Sequence, residues 1–143
     1  MKVFLDTNVI LDYVLQREHY AEAKQAIVQM LESDDELLMS VGGFYTMVFI
    51  VEKYFRKVHH LNMASAQVLT RDVMRKTLNT FQVVEHDSAS LLRGIDDQTF
   101  SDIEDSCQYQ LAIKHGCKRL VTFNAVDFPI KDGSDIEIVN LLK

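Results

Sequence analysis

Acidic and amide side chains occur in three separate stretches of this sequence, each close to an apolar run. Asp6 ends the first run, Asp105 lies early in a helical stretch, and Asp127 follows a later run. Their oxygen atoms are the ligands that Mg²⁺ and Mn²⁺ prefer, whereas carboxylates brought together without a cation repel one another. Such a cluster could therefore hold a divalent ion that activates a water molecule, and this water could then attack a phosphodiester. The candidate residues are Asp6, Asp102, Asp105, Asn124 and Asp127.

Each of these residues also has a purely structural interpretation. Asp6 could cap a helix that begins near residue 7, since aspartate is a favoured N-cap. Asp102 suits the positive end of a helix dipole, and Asn124 and Asp127 are common turn residues. Asp105 is harder to explain in this way, because it lies past the first residues of its helix, near the apolar side. The case for a site rests on all three stretches together.

Five short apolar runs, separated by helical patterns, must position these side chains. Alternating strands and helices predict an α/β fold, in which a parallel sheet carries helices on both faces. Ligands bind at the carboxyl ends of the strands in such sheets. The first and fourth strands are neighbours in the simplest doubly wound order, so their acids could share one cleft. The predicted strands are 3–6, 37–40, 81–85, 119–122 and 136–139.

The helical patterns give further expectations. Residues 44–58 are apolar nearly all round, which predicts a buried helix, and the long stretch between the second and third strands predicts two helices. The helix over residues 102–115 should end at Gly116. Ser101 with Glu104 predicts a capping box in which Ser101 is the N-cap.

The overall composition narrows the function classes. The chain has 143 residues and suits one domain spanning 1–143. No apolar run is long enough to cross a membrane and no signal peptide is recognisable, which predicts a cytoplasmic protein. A net charge of −6 argues against a simple nucleic-acid-binding module. It argues less against a metal nuclease, whose acids gather in one pocket and are offset by bound cations.

Three motifs in this order resemble those of the PIN-domain family, the nuclease fold of VapC-type toxins. They are the opening Phe4-Leu5-Asp6-Thr7-Asn8-Val9-Ile10-Leu11-Asp12, the helix start Asp102-Ile103-Glu104-Asp105-Ser106-Cys107-Gln108, and Thr122-Phe123-Asn124 followed by Asp127-Phe128. The resemblance covers essentially the whole chain. It implies a three-layer fold with a five-stranded parallel sheet in the order 3-2-1-4-5.

The resemblance also implies a ribonuclease that depends on Mg²⁺ or Mn²⁺. Asp6 and Asp105 match the metal-binding acids of the family, and Asn124 or Asp127 matches its more variable fourth acidic site. Our interpretation is that Asp6, Asp105 and Asp127 hold one or two ions, directly or through water. Supporting polar roles fall to Asn8, Asp102, Thr122 and Asn124. The implied partners are an RNA substrate, a small antitoxin protein and a second copy of the chain.

Departures from the family pattern keep an alternative open. Thr46 stands where the family usually has a glutamate, Glu52 is a doubtful substitute for it, and Phe123 replaces a common arginine. The alternative is a catalytically weak or inactive PIN-like domain that binds nucleic acid or a protein. A flavodoxin-like phosphoryl acceptor with Asp6 as the phosphorylated acid is disfavoured, since Lys131 is badly placed for the lysine it needs.

Overall fold

Five parallel strands form one sheet in the order β3-β2-β1-β4-β5, which confirms the predicted order. The structure, a computed structural model, describes residues 1–129, 131 and 133–142. The predicted domain, 1–143, includes residues 130, 132 and 143, which lie outside the described residues. The strands are β1 Lys2–Leu5, β2 Glu36–Ser40, β3 Gln82–Val84, β4 Arg119–Thr122 and β5 Glu137–Asn140.

The sheet is apolar on both faces because neighbouring side chains of a strand point to opposite sides. In β1, Val3 and Leu5 pack against one cluster of the core, whereas Phe4 packs against the other. All three are at most 1% exposed. Such continuous burial is typical of a parallel sheet that is covered on both faces.

Helices cover both faces of the sheet and complete the predicted three layers. The first four helices supply the cluster around Val3 and Leu5, and α6 supplies the one around Phe4. Two helices, α3 and α4, fill the stretch between β2 and β3, as predicted. None of the helices in the described part of the chain is long and apolar enough to cross a membrane. The helices are α1 Thr7–Leu15, α2 Tyr20–Glu32, α3 Val41–Lys57, α4 Met63–Thr80, α5 Ser88–Asp96 and α6 Ile103–Lys114, with a 3₁₀ turn at Ala125–Asp127.

The central pair of strands brings two candidate stretches level. Leu5 of β1 pairs with Val121 of β4, and the amide of Asp6 donates to the Val121 carbonyl at 2.9 Å. Both strands therefore end at the same height. Asp6 and Thr122 consequently lie side by side at the carboxyl edge of the sheet.

Two local predictions were wrong. The N-cap of α6 is Asp102 rather than Ser101, since the Asp102 carboxylate accepts a hydrogen bond from the Asp105 amide at 3.0 Å. Aspartate caps a helix as well as serine does, so the sequence alone did not separate the two. Helix α3 is not buried all round: Tyr45 and Phe49 are 70% and 69% exposed. Being four residues apart, they lie on one helix face, opposite the buried Met47 and Val51.

The close packing of α5 on α6 gives a prediction. A Cβ added to Gly94 would lie 2.9 Å from the Cα of Cys107, a backbone atom that cannot move aside cheaply. We expect Gly94→Ala to lower the free energy of unfolding by about 1–3 kcal/mol through overpacking. Urea unfolding followed by circular dichroism measures this change.

Gly42→Ala is the matched control, because a Cβ there has no neighbour within 4 Å. Gly42 lies inside α3, where alanine is intrinsically favoured, so this variant should gain up to about 1 kcal/mol. Equal stability of the two variants would contradict the close helix contact.

Candidate active site

The Asp6 carboxylate is oriented from both sides at the carboxyl edge of the sheet. It accepts a hydrogen bond from the Thr122 hydroxyl at 3.0 Å and a longer one from the Gln108 side-chain amide at 3.5 Å. Asp6 occupies the N-cap position of α1, but its side chain makes no capping hydrogen bond. The amides of Thr7 and Asn8 still lower the pKa of Asp6, so the carboxylate contacts the start of α1 without a capping hydrogen bond. Burial raises the pKa of Asp6, and the hydrogen bonds from Thr122 and Gln108 oppose that rise.

The first turn of α6 presents further acids to Asp6. Burial is the largest cause that raises the pKa of Asp105, to about 7, and the negative charges of Asp6, Asp102, Asp127 and Glu104 add to it. The pKa of Glu104 is raised by burial and by the charges of Asp102 and Asp6. The part of each shift that burial does not cause comes from neighbouring acids, including Asp6 of a separate segment.

The segment after β4 completes the arrangement. Thr122 is fully buried, and its hydroxyl accepts a hydrogen bond from the Asn124 amide at 3.1 Å while donating to Asp6. Asn124 then precedes the 3₁₀ turn that ends with Asp127. One buried hydroxyl thus links the end of β1 to the turn that carries the last predicted acid.

These segments enclose a polar cleft of about 280 Å³. Every predicted site residue lines it except Thr122, which lies behind Asp6. Thr46, at the position where the resemblance leads one to expect an acid, is also in the lining. Its hydroxyl donates to the Gly42 carbonyl of its own helix at 3.1 Å. The lining residues are Asp6, Thr7, Asn8, Thr46, Asp102, Glu104, Asp105, Gln108, Asn124 and Asp127.

Thr7, Glu104 and Gln108 line the cleft but were not predicted as site residues, and Gln108 is the one whose side chain bonds to Asp6. Gln108 is 3% exposed, and its side-chain oxygen has no hydrogen-bond partner among the described residues. The signal was its position three residues after Asp105, which places both side chains on one face of α6. A buried oxygen without a partner is costly unless another group satisfies it.

The donor set suits a hard divalent cation. Carboxylate and amide oxygens dominate the cleft, and Mg²⁺ usually keeps several waters while it binds one or two carboxylates. Within residues 1–129, 131 and 133–142, no three acidic, histidine or cysteine side chains already surround one point. The residues present therefore fit an ion that is held partly through water.

A larger cleft, of about 430 Å³, lies at the amino ends of β4 and β5, away from these acids. Lys131 in its lining already forms an ion pair with Asp97 at 2.8 Å. Size alone therefore does not identify the site. The smaller cleft is distinguished by the carboxylates that crowd it.

Comparison with known proteins places the chain in a family. Residues 2–125 match the PIN domain family. Ribonuclease VapC1 of Aquifex aeolicus (strain VF5) is 29% identical over 126 residues, which cover 85% of this chain and 80% of that protein.

Solved structures share the fold. VapBC2 from Rickettsia felis, bound to a DNA fragment from its promoter, superimposes with a TM-score of 0.68 at 13% identity and covers 98% of both chains. A toxin–antitoxin complex from Klebsiella pneumoniae gives a TM-score of 0.63 at 20% identity, covering 94% of this chain and 95% of that one. With the family match over most of its length, this chain belongs to the PIN domain family.

Proposed function

We propose that this protein is a divalent-metal-dependent endoribonuclease, and that residues 1–143 form one PIN domain. The observation that carries the proposal is that acids from three distant segments line one cleft: Asp6 after β1, Asp105 in α6 and Asp127 after β4. Membership of the family and the similarity to a protein named as a ribonuclease support RNA as the substrate.

In this proposal, Asp6, Asp105 and Asp127 are the catalytic residues and the ligands of Mg²⁺ or Mn²⁺. The bound cation supplies the activation of water and the stabilisation of charge on the phosphodiester that hydrolysis requires. Water adds to phosphorus as the bond to the leaving oxygen breaks, which leaves one phosphate end and one hydroxyl end.

The remaining polar residues act by positioning. Thr122 and Gln108 donate to the two oxygens of Asp6, so its carboxylate has a fixed orientation in the cleft. Asp102 caps α6 and thereby fixes the turn that carries Asp105. Asn8 and Asn124 add neutral oxygen and amide groups to the lining. Such supporting partners typically matter almost as much as the ligands themselves.

The alternative is a PIN domain with weak or no activity that binds nucleic acid or a protein. Thr46 supports it, because a hydroxyl bonded to its own helix replaces a charged ligand at the α3 side of the cleft. Fewer carboxylates lower the affinity for a cation. Retained RNA affinity without metal binding would favour this alternative.

We also propose a small antitoxin protein and a second copy of the chain as partners. The Klebsiella pneumoniae neighbour is a toxin–antitoxin complex, which supports the first. The exposed Tyr45 and Phe49 of α3 support the second, since large aromatic side chains are enriched in protein interfaces. We propose a cytoplasmic location for the protein as well, because its proposed substrate is cellular RNA.

Cleavage of labelled RNA tests the activity. We expect cleavage with Mg²⁺ or Mn²⁺ and none with EDTA. Asp6→Asn and Asp105→Asn should each lower the rate by roughly 100-fold or more, because even the loss of a residue supporting a metal ligand costs about 10- to 100-fold.

Asp72→Asn controls for the loss of one negative charge. Asp72 pairs with Lys76 on the exposed surface of α4, outside the cleft, so this variant should cleave like the wild type. Equal cleavage by all four proteins would indicate a contaminating nuclease. A Mn²⁺ titration by calorimetry should show binding to the wild type and the control, and weakened binding to the two site variants.

Stability without metal gives a separate test of the crowded acids. The raised pKa of Asp105 means that its ionised form destabilises the folded state. In EDTA at a pH of about 8, Asp105→Asn should therefore raise the free energy of unfolding by about 1 kcal/mol, after allowance for solvent screening of a half-buried group. Added Mn²⁺ should stabilise the wild type and leave the variant nearly unchanged. A loss of stability in the variant would contradict the repulsion.

The homodimer is tested by the mass in solution. We expect sedimentation to show a dimer for the wild type and a monomer for Phe49→Glu, because a buried charge opposes an apolar interface. Val68→Glu changes an exposed valine of α4, 64% accessible, and should remain dimeric. A monomeric wild type would exclude the proposed dimer.

A further inference from the structure

A second cleft, of about 270 Å³, adjoins the acidic one. The two share Asp6, Asn8 and Asn124, so they are continuous along the same edge of the sheet. The lining of the second cleft differs in kind, because it contains an arginine and two aromatic rings. Its lining residues are Asp6, Asn8, Asp12, Arg17, Glu18, His19, Thr122, Phe123, Asn124 and Leu142.

Asp12 fixes the turn that forms one wall of this cleft. It is 5% exposed, its Oδ1 accepts a hydrogen bond from the Nε group of Arg17 at 2.8 Å, and the Nη2 group of the same ion pair lies 2.8 Å from that oxygen. Its Oδ2 accepts from the His19 amide at 3.1 Å. Gln16, between them, takes the left-handed backbone conformation with φ 52°. The turn after α1 is thus held by a buried carboxylate rather than left free.

The same turn places the His19 ring against Phe123. The ring centroids are 5.1 Å apart with an interplanar angle of 56°. Both side chains are half-buried, and Phe123 packs with its inner side on the core. Phe123 immediately follows Thr122, the residue that donates to Asp6. One ring of the aromatic pair therefore belongs to the residue next to Thr122, whose hydroxyl orients Asp6 in the acidic cleft.

Arg17 adds a donor at this place. Its Nε and Nη2 groups are used by Asp12, and no acceptor in the described part of the chain takes its Nη1 group. The side chain is 34% exposed. A guanidinium held in this way can still donate to a phosphate or to the edge of a base.

The charge of the protein favours contacts with RNA that do not depend on phosphates. At a net charge of −6, the chain as a whole repels a phosphate backbone, so other contacts gain importance. Stacking of bases on aromatic side chains is the other general source of affinity for single strands, and it does not depend on sequence. A cleft with an aromatic pair in its wall suits a planar group such as a base.

We propose that the cleft formed by Arg17, His19 and Phe123 binds the base of the nucleotide that flanks the scissile phosphate of a single-stranded RNA. The base stacks on the His19–Phe123 pair, and the Nη1 group of Arg17 donates to the backbone or base edge of the same nucleotide. The inference rests on the proposed ribonuclease function and specifies how its site holds the substrate.

Binding of a short fluorescent single-stranded RNA, measured by anisotropy, tests the inference. Asp105→Asn is the background, so that the RNA stays intact. Adding Phe123→Leu or His19→Gln should weaken binding by about 5- to 30-fold, the effect expected for the loss of one stacked base. The change should persist between about 50 and 200 mM salt, because stacking is not screened as phosphate contacts are. Melting curves verify that both variants fold.

A matched aromatic pair provides the control. Tyr54 and His59 have ring centroids 5.1 Å apart, the same separation, but lie at the end of α3 outside both clefts. Tyr54→Leu and His59→Gln should leave RNA affinity unchanged. A probe with one abasic nucleotide, moved along the RNA, should cancel the effect of Phe123→Leu at one position. The inference would be overturned if variants of both aromatic pairs lost RNA affinity equally. It would also be overturned if an abasic nucleotide cancelled the effect of Phe123→Leu at no position of the RNA.

Failure of the inference and failure of the proposed activity give different results. If RNA binding depends on Phe123 and His19 but the wild type cleaves no RNA, the result supports base binding in the cleft and excludes the nuclease activity. Cleavage by the wild type, with Phe123→Leu and His19→Gln unchanged in KM and kcat, supports the nuclease and overturns the cleft. The assignment of RNA as the ligand would be overturned if the protein bound single-stranded DNA more tightly than RNA and this preference also depended on Phe123.

Discussion

The register between β1 and β4 is the constraint on which the candidate site depends. Leu5 pairs with Val121, so both strands end together and the Thr122 hydroxyl reaches the Asp6 carboxylate at 3.0 Å. A shift by one residue would turn the side chains of β1 to the opposite faces of the sheet. Val3, Phe4 and Leu5 are buried on alternate faces between the exposed Lys2 and the acidic Asp6, so that shift would also carry a charged residue into the core. The packing of the core therefore fixes the position of the first acid.

Helix α6 must also be held, because its acids are repelled by Asp6. Its contacts with α5 include a hydrogen bond from the Ser106 hydroxyl to the Gly94 carbonyl at 2.7 Å and the close packing of Gly94 on Cys107. The positive end of the helix dipole offsets part of the negative charge in the first turn. The carboxylates of the cleft are thus held near one another by the packing of the helices, and a bound cation would offset their mutual repulsion.

The fold and the acids could be predicted from the sequence because both follow from local patterns. Buried strands appear as short apolar runs, and a polar residue marks each carboxyl end, as at Asp6. Contacts between distant segments were not predictable in this way. The hydrogen bond from Gln108 to Asp6 and the aromatic pair of His19 with Phe123 join residues that are far apart in the sequence. The exposure of Phe49 equally depended on which helix faces pack together.

Thr46 and Phe123 have related physical consequences, although they lie on different elements. Each replaces a charged residue that the family pattern leads one to expect: Thr46 stands in place of a glutamate and Phe123 in place of an arginine. A threonine lowers the negative charge that an approaching phosphate meets, and it also weakens the hold on a cation. A phenylalanine loses a phosphate contact and gains a surface for stacking. In the proposed mode of RNA binding, the two changes together would shift the affinity from charge towards base stacking, which depends less on the net charge of −6.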